Sequence, residues 1–478
     1  MNDQEGTPST TPGLTPSADK PATTEPMPKE EKSFFSSLRS VLTYRSYSVY
    51  LLTSWILGIF GIIIDSYLML YFRQILIDFV AIGLLILFFT AIQLVMRVIG
   101  GYVGDNYNRK WLSVLTMAVS GLGFFILGTL PPFTGAIYIP LIGFVSLPFL
   151  WFMFGAFITA SSSIFASGST SYIYENISPE HSGLAMGIFQ TSVGFGLIGL
   201  ALVTWLLGIG VSFVVTIQLL FLLGGFCYIA AALIRTVFLA PAKPILRKNR
   251  SANTLRDFFQ QNGHAIRLLL VILPVFMGVL VLDAISDGLY RFVSMFYLNE
   301  DLLFSYGEIS LMLIVVLACS IPLSITVGGF FDRRGSRRAM VVIYAIMPLC
   351  IALLILAPVF PYFLTPNVVD YLVWVSPIFR PLLSTAFIAM ACKRINDILW
   401  GTLILTYLRR AIPRSETAKM LSIFFIVIMV ANLFTPLPAA FTYTLFGATP
   451  VLIMSLLLNF VILAILLVGN IEPKPLPE

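Results

Sequence analysis

The sequence predicts an all-α membrane protein, with twelve transmembrane helices arranged as two six-helix repeats. Three observations predict it. Of 478 residues, 58% are hydrophobic and only 11% are charged, whereas a soluble domain carries about 25% charged residues. Too little polar surface exists to cover a water-soluble globule of this size. Apolar runs of about 20 residues, the length that crosses the hydrocarbon of a bilayer, recur between short polar loops. A small charged knot, GGYVGDNYNRKW at 100–111, returns as GGFFDRRGSRRA at 328–339, each time after an apolar run.

The elements follow in chain order. Residues 1–45 are expected to be a disordered cytoplasmic tail. Its first 32 residues are rich in Pro, Thr and Glu and lack the apolar core of a signal peptide. Residues 46–238 form the N-terminal bundle, with spans at 48–72, 80–104, 111–131, 146–175, 182–207 and 211–238. Residues 239–266 are polar and basic and read as a cytoplasmic linker. Residues 267–470 form the C-terminal bundle, with spans at 267–297, 307–331, 338–357, 382–410, 418–441 and 448–469, and 471–478 form a short tail. The stretches 133–145 and 358–381 are hydrophobic but broken by Pro and Gly; each either extends a neighbouring helix or forms an outer loop.

Loop charges give an orientation. Arg39, Arg45, Arg109, Lys110, the linker cations, Arg333, Arg334, Arg337, Arg409 and Arg410 all fall on one side. The opposite loops hold Arg73, Asp78, Glu300, Asp301, Glu308 and little else. The positive-inside rule then places both termini in the cytoplasm. The net charge of +6 belongs to these loops, and no basic face with interleaved aromatics points to nucleic acid. The four cysteines lie in apolar segments with no CxxC pair, and no Cys/His cluster suggests a metal.

The knot is part of a longer duplication. Aligning Asp105 with Asp332 brings Gly101 onto Gly328, giving G-x-x-x-D in both halves, and sets Arg109 and Lys110 against Ser336 and Arg337. SPEHSGLAM at 178–186 resembles IPRSETAKM at 412–420, and LMLYF at 68–72 matches SMFYL at 294–298. Parallel repeats of this kind are a transporter architecture. The loop G-x-x-x-D-(R)-x-(G)-R-[RK] between the second and third spans, repeated between the eighth and ninth, resembles the signature of the major facilitator superfamily over roughly residues 45–470. The first copy has Asn106 and Asn108 where the family pattern has Arg and Gly. The second keeps Asp332, Arg333 and Gly335 but has Ser336 for a basic residue.

The knot has a physical reading as a gate. Glycines let helices approach closely, and an aspartate at a helix end pairs with cations or with the positive N-terminus of a neighbouring helix. Gly101, Asp105, Arg109 and Lys110, with Gly328, Asp332, Arg333 and Arg337, are thus expected to latch the cytoplasmic side. The alternative is that the cations only fix topology. Arg97, one turn before Gly101, is expected to support the latch.

Charges inside spans are costly and mark function. The deep ones are Asp65, Arg97, Asp283, Asp287, Arg291, Lys393, Arg394 and Asp397. The resemblance implies that the first, fourth, seventh and tenth helices line a central cavity, which is where all but Arg97 fall. Asp283, Asp287 and Arg291 are spaced to form one helical stripe. The repeat sets Asp65 opposite Arg291, as a pair across the cavity. It also sets Thr159 against Lys393 and Ser163 against Asp397, so that the first half offers hydroxyls where the second offers charges. Helix–helix hydrogen bonding is the alternative role for the hydroxyls, and a static network the alternative for the charges. The glycines of the fifth span are expected to serve close helix packing.

These residues point to a secondary transporter of a small solute working by alternating access. With no Walker A motif, the energy is expected from an ion gradient or from the solute's own gradient. A carboxylate buried between helices can exchange protons, and Asp65 and Asp287 stand first among the candidates. Mixed charges favour a polar, charged or zwitterionic solute, with drug export left open. The expected partners are the small-molecule solute, protons or another coupling ion, and the lipid bilayer of the plasma membrane. No cofactor, metal or nucleic acid is expected, and the chain is expected to act as a monomer. A facilitative uniporter, or a transporter-like receptor, scaffold or lipid flippase, is the alternative. Enzyme activity is not expected, because no catalytic arrangement appears in the spans.

Overall fold

The computed structural model describes residues 41–76, 78–129, 135–139, 143–166, 191–241, 273–327, 336–411 and 417–469, and a few isolated positions between them. In the first half, α1 (Arg45–Leu76), α2 (Phe79–Asn106), α3 (Arg109–Gly128), α4 (Leu147–Ser161), α5 (Gly196–Gly208) and α6 (Phe213–Phe238) follow in order. In the second half come α7 (Pro274–Phe296), α8 (Tyr306–Val327), α9 (Ser336–Tyr344), α10 (Ile346–Leu356), α11 (Pro366–Val375), the single turn α12 (Phe379–Leu382), α13 (Thr385–Ala411), α14 (Thr417–Leu433), α15 (Pro436–Phe446) and α16 (Ala448–Val468). Helix stands at each of the twelve expected spans. Among the described residues, seven segments are long and apolar enough to cross a membrane.

Local chemistry sets the boundaries. Asp78 caps α2, its carboxylate accepting from the amides of Val80 and Ala81 at 3.0 and 3.3 Å. Asn108 caps α3 by accepting from the amide of Lys110 at 3.0 Å. Two expected spans are each broken once. Pro348 cannot bond back to Tyr344, and the chain turns at Ala345 between α9 and α10. Pro436 cannot bond back to Asn432, whose carbonyl instead accepts from the amide and hydroxyl of Thr435. Of the two broken apolar stretches, the first folds as an antiparallel hairpin of β1 (Ala136–Ile139) and β2 (Gly143–Ser146). The second contains α11 and α12.

The halves pack within themselves and meet along two repeated seams. Between them, α2 packs on α14 and α15, α5 packs on α8, and α1 touches α7. Exchanging the second span with the eighth, and the eleventh with the fifth, turns one seam into the other. Two repeats related by an axis along the membrane normal require that symmetry. Inside the first half, α5 lies so close to α1 that only glycine fits. A Cβ on Gly58 would stand 1.8 Å from the Ser192 carbonyl oxygen, and one on Gly199 would stand 2.0 Å from that of Ile59. The fifth-span glycines at 196 and 199 therefore serve close packing, while Gly183 and Gly187 lie outside the described residues.

Candidate functional site

At one end the halves are shut against each other. Arg73, at the end of α1, forms an ion pair with Glu300 at 2.7 Å, and its guanidinium lies 4.0 Å over the ring of Phe79. Phe79 in turn packs on Tyr443, with ring centroids 4.1 Å apart, and on Phe296. Gln74 donates to the Tyr306 hydroxyl at 2.7 Å, Phe213 stacks on Tyr306 at 3.8 Å, and the hydroxyls of Tyr67 and Ser310 meet at 2.5 Å. Apart from the contact of Arg73 with Phe79, each of these joins the first half to the second.

Deeper in, the α7 stripe forms as its spacing requires. Asp287 binds Arg291 through Oδ2 and Lys393 of α13 through Oδ1, both at 2.8 Å. Lys393 Nζ also binds Asp397 one turn along its own helix. The Lys393 side chain is only 6% exposed, so its charge is matched by carboxylates rather than by water, as a buried charge requires. Its ammonium lies 5.3 Å from the Tyr290 ring centroid. Among the described residues Asp283 forms no ion pair. It accepts from the Tyr344 hydroxyl and from Trp400 Nε1, both at 2.9 Å. Behind it, Tyr344 reaches Asn459 Oδ1 at 2.6 Å, while Asn459 Nδ2 donates to Ser286 Oγ at 2.6 Å and to the Ser455 carbonyl at 2.7 Å.

Asp65 and Arg394 complete the set. Asp65 projects from α1 with its side chain exposed, in electrostatic range of Arg291 and Arg394. The expected pair between Asp65 and Arg291 is not formed; Arg291 binds Asp287 on its own helix through Nε. Thr159 does not face this space either. It is buried against α3, where its hydroxyl would lie 2.1 Å from a Cβ on Gly123, and it donates to its own helix at the Gly155 carbonyl. Ser163 is half-buried one turn on. Arg97 stands apart and meets Met429 of α14 at 3.5 Å.

Of the gate residues, Arg109 and Lys110 open α3. The side chains of Gly101, Asp105 and Arg337 are outside the described residues, as are Gly328, Asp332 and Arg333 altogether. The neighbouring Gly100 is the described close contact of the first knot; a Cβ there would lie 2.6 Å from the Ile164 carbonyl.

Several partners escaped the reading by charge alone. Tyr344 and Trp400 hold Asp283, and Asn459 bonds Tyr344. Arg235, fully buried on α6, donates to Thr53, Ser54 and Ser113 at 2.8 to 2.9 Å and lies 4.3 Å over the Tyr50 ring. Arg235 and Asn459 are single strongly polar residues within apolar runs, and that signal was present in the sequence. Among the described residues no group of three His, Cys, Asp or Glu side chains is placed to hold a metal.

The family model of the Major Facilitator Superfamily matches residues 46–396. No curated protein sequence matches the chain. Among solved structures, the fold is similar to a mutant of the nucleoside transporter NupG, at 13% identity over 89% of this chain and 98% of that one, with a TM-score of 0.63. It is similar to a D-xylose-proton symporter, at 15% identity over 92% and 99%, with a TM-score of 0.63. It is also similar to the inward-open xylose transporter XylE from E. coli, at 14% identity over 90% and 96%, with a TM-score of 0.61. At such identities the likeness is one of fold.

Proposed function

Because the chain belongs to the Major Facilitator Superfamily, we propose that it carries a small polar solute across a bilayer by alternating access, with proton movement at Asp283 as the energy input. The observation that carries this reading is the charged space between the halves. Asp65 comes from one half and Arg291 and Arg394 from the other, below an end that is closed. A solute touching both halves senses their separation. Only such differential contact lets a ligand move a conformational equilibrium. Similar folds serve a nucleoside transporter and a proton symporter.

Hydrogen-bond accounting supports the proton role of Asp283. Tyr344 has one hydroxyl proton and two acceptors, Asp283 Oδ1 and Asn459 Oδ1. Asn459 cannot turn to help, because its Nδ2 is committed to Ser286 and Ser455. With Asp283 ionised, Tyr344 donates to the carboxylate and Asn459 Oδ1 loses its donor. With Asp283 protonated, the carboxyl donates to Tyr344, Tyr344 donates to Asn459, and every group is satisfied. Two protonation states thus give two bonding patterns across α7, α9, α13 and α16. The other charged groups facing Asp283 are Asp287, one turn along α7, and Lys393 of α13. These two are bound to each other.

The loop charges support an orientation with both termini cytoplasmic and the Glu300 end outside, and the plasma membrane is the membrane we assign to it. The chain then acts as a monomer without catalysis of its own. The two G-x-x-x-D knots latch the cytoplasmic end, beside Arg97. The test is counterflow and uptake of a solute panel in proteoliposomes, with and without an imposed pH gradient. Asp283→Asn is expected to abolish gradient-driven accumulation and to spare solute exchange. Wild-type uptake that ignores the gradient would remove the proton role, and absence of any exchange would count against transport itself.

A further inference from the structure

The ion pairs divide the deep charges into those the protein satisfies and those it leaves open. Asp287 is held by Arg291 and Lys393, and Asp397 by Lys393. Asp65 and Arg394 form no ion pair among the described residues. They come from opposite halves, α1 and α13; α1 packs against α7, and Asp287 of α7 is bound by Lys393, the chain neighbour of Arg394. Asp65 is exposed, Arg394 is partly so, and the Arg291 side chain is 72% exposed. The terminal guanidinium nitrogens of Arg291 are not used by its Nε bond to Asp287.

We propose that the solute is a zwitterion, its ammonium group taken by Asp65 and its acid group by Arg394 and the free nitrogens of Arg291. This rests on the transport reading above. Uncompensated charge within a membrane span is costly, and only a solute with both signs compensates both halves at once. A cation alone would leave Arg394 open, an anion alone would leave Asp65 open, and a sugar or nucleoside would leave both. The chemistry of each end fits. A guanidinium offers a planar fork that matches a carboxylate or phosphate, and a carboxylate accepts from an ammonium. Each bond falls on a different half, so the bound solute ties the halves together across the space that alternating access must open and close. A contact made to one half alone would move with it and bias nothing.

The test uses the full-length purified chain and amino acids in four matched forms. These are the free zwitterion, the methyl ester (cation), the N-acetyl acid (anion) and the N-acetyl amide (neutral), each for alanine, leucine, phenylalanine, serine and methionine, whose side chains carry no charge. Thermal stabilisation in detergent reads binding, and counterflow in proteoliposomes reads exchange. Glucose and uridine serve as uncharged comparison classes.

At least one free amino acid is expected to bind tenfold or more tightly than its three blocked forms. Asp65→Asn should weaken the zwitterion and the ester tenfold and leave the N-acetyl acid unchanged. Arg394→Gln should weaken the zwitterion and the N-acetyl acid and leave the ester unchanged. Blocked forms that bind as well as the free amino acid, or variants that treat all forms alike, overturn the proposal. So do amino acids that are inert in every form. Exchange of glucose or uridine in that last case would leave the transport reading standing with another solute. Zwitterion binding without exchange of any solute would keep the site and remove the transport reading instead.

Discussion

Lys393 and Arg235 are both buried cations in membrane spans, yet the protein treats them in opposite ways. Lys393 binds two carboxylates. Arg235 meets only hydroxyls, carbonyls and an aromatic ring among the described residues. Removing Lys393 leaves Asp397 without its cation and Asp287 with only one. Breaking a buried pair from one side costs roughly 3–5 kcal/mol. Removing Arg235 orphans less. Thr53 and Ser54 already donate to carbonyls of their own helix, at 2.7 to 2.9 Å. With no charge left behind, Arg235→Met is expected to cost about 2 kcal/mol or less. Thermal unfolding in detergent should therefore rank Lys393→Met well below Arg235→Met. The reverse order would mean that the Arg235 contacts carry more of the fold than the Lys393 cluster does.

At the scale of elements, glycine decides how closely helices approach, and it does so at particular positions only. Gly58 and Gly61 are one turn apart on α1. A Cβ on Gly58 collides with backbone at 1.8 Å, whereas one on Gly61 meets nothing within 4 Å. The obstructing atom at Gly58 is a carbonyl oxygen of the turn that leads into α5, so the whole helix must move. Gly58→Ala is expected to destabilise by about 1–3 kcal/mol or more. Gly61→Ala has only the helix preference of alanine to register, a gain of roughly 0.5–1 kcal/mol. Paired melting curves of the two variants check this, and equal effects would mean that α5 is not held where the close approach places it. Cations at the start of a helix oppose its dipole, yet Arg109 and Lys110 open α3. Their placement answers to the side of the membrane on which α3 begins and not to the stability of that helix.

For the whole molecule, the described ion pair and aromatic contacts that join the halves lie at the Glu300 end. The Arg73–Glu300 pair is partly exposed, at 23% and 31% of the two side chains, so it is worth about 1 kcal/mol or less. That is enough to change the ratio of two conformations by about fivefold. Glu300→Gln is expected to loosen this end. Spin labels at Ile209 of the first half and Leu303 of the second, both exposed, should report a larger share of long distances. The exchange Arg73→Glu with Glu300→Arg should return the distribution towards that of the parent. An unchanged distribution in Glu300→Gln would assign the closure to the aromatic packing of Phe79, Tyr306 and Tyr443 instead.

What depends on composition and on spacing along one helix could be read from the chain alone. Low charge content dictates lipid as the solvent, the repeated knot dictates two halves, and the 3.6-residue period puts Asp283, Asp287 and Arg291 on one face. The expected α7 stripe formed for that reason, as did the pair of Lys393 with Asp397 one turn apart. Which helix each face meets was set by packing. The alignment that set Asp65 against Arg291 gave equal depth, but depth does not give rotation, and Arg291 turned to Asp287. The same alignment matched Thr159 to Lys393, yet Thr159 is turned into the contact with Gly123. Tyr344 and Trp400 converge on Asp283 from two helices distant in sequence, and Asn459 of a third holds Tyr344 from behind. A lone polar residue in an apolar run announces that it needs a partner, without saying which. The choice is made by how helices rotate as they pack, and that rotation is set by the shapes of many apolar neighbours at once.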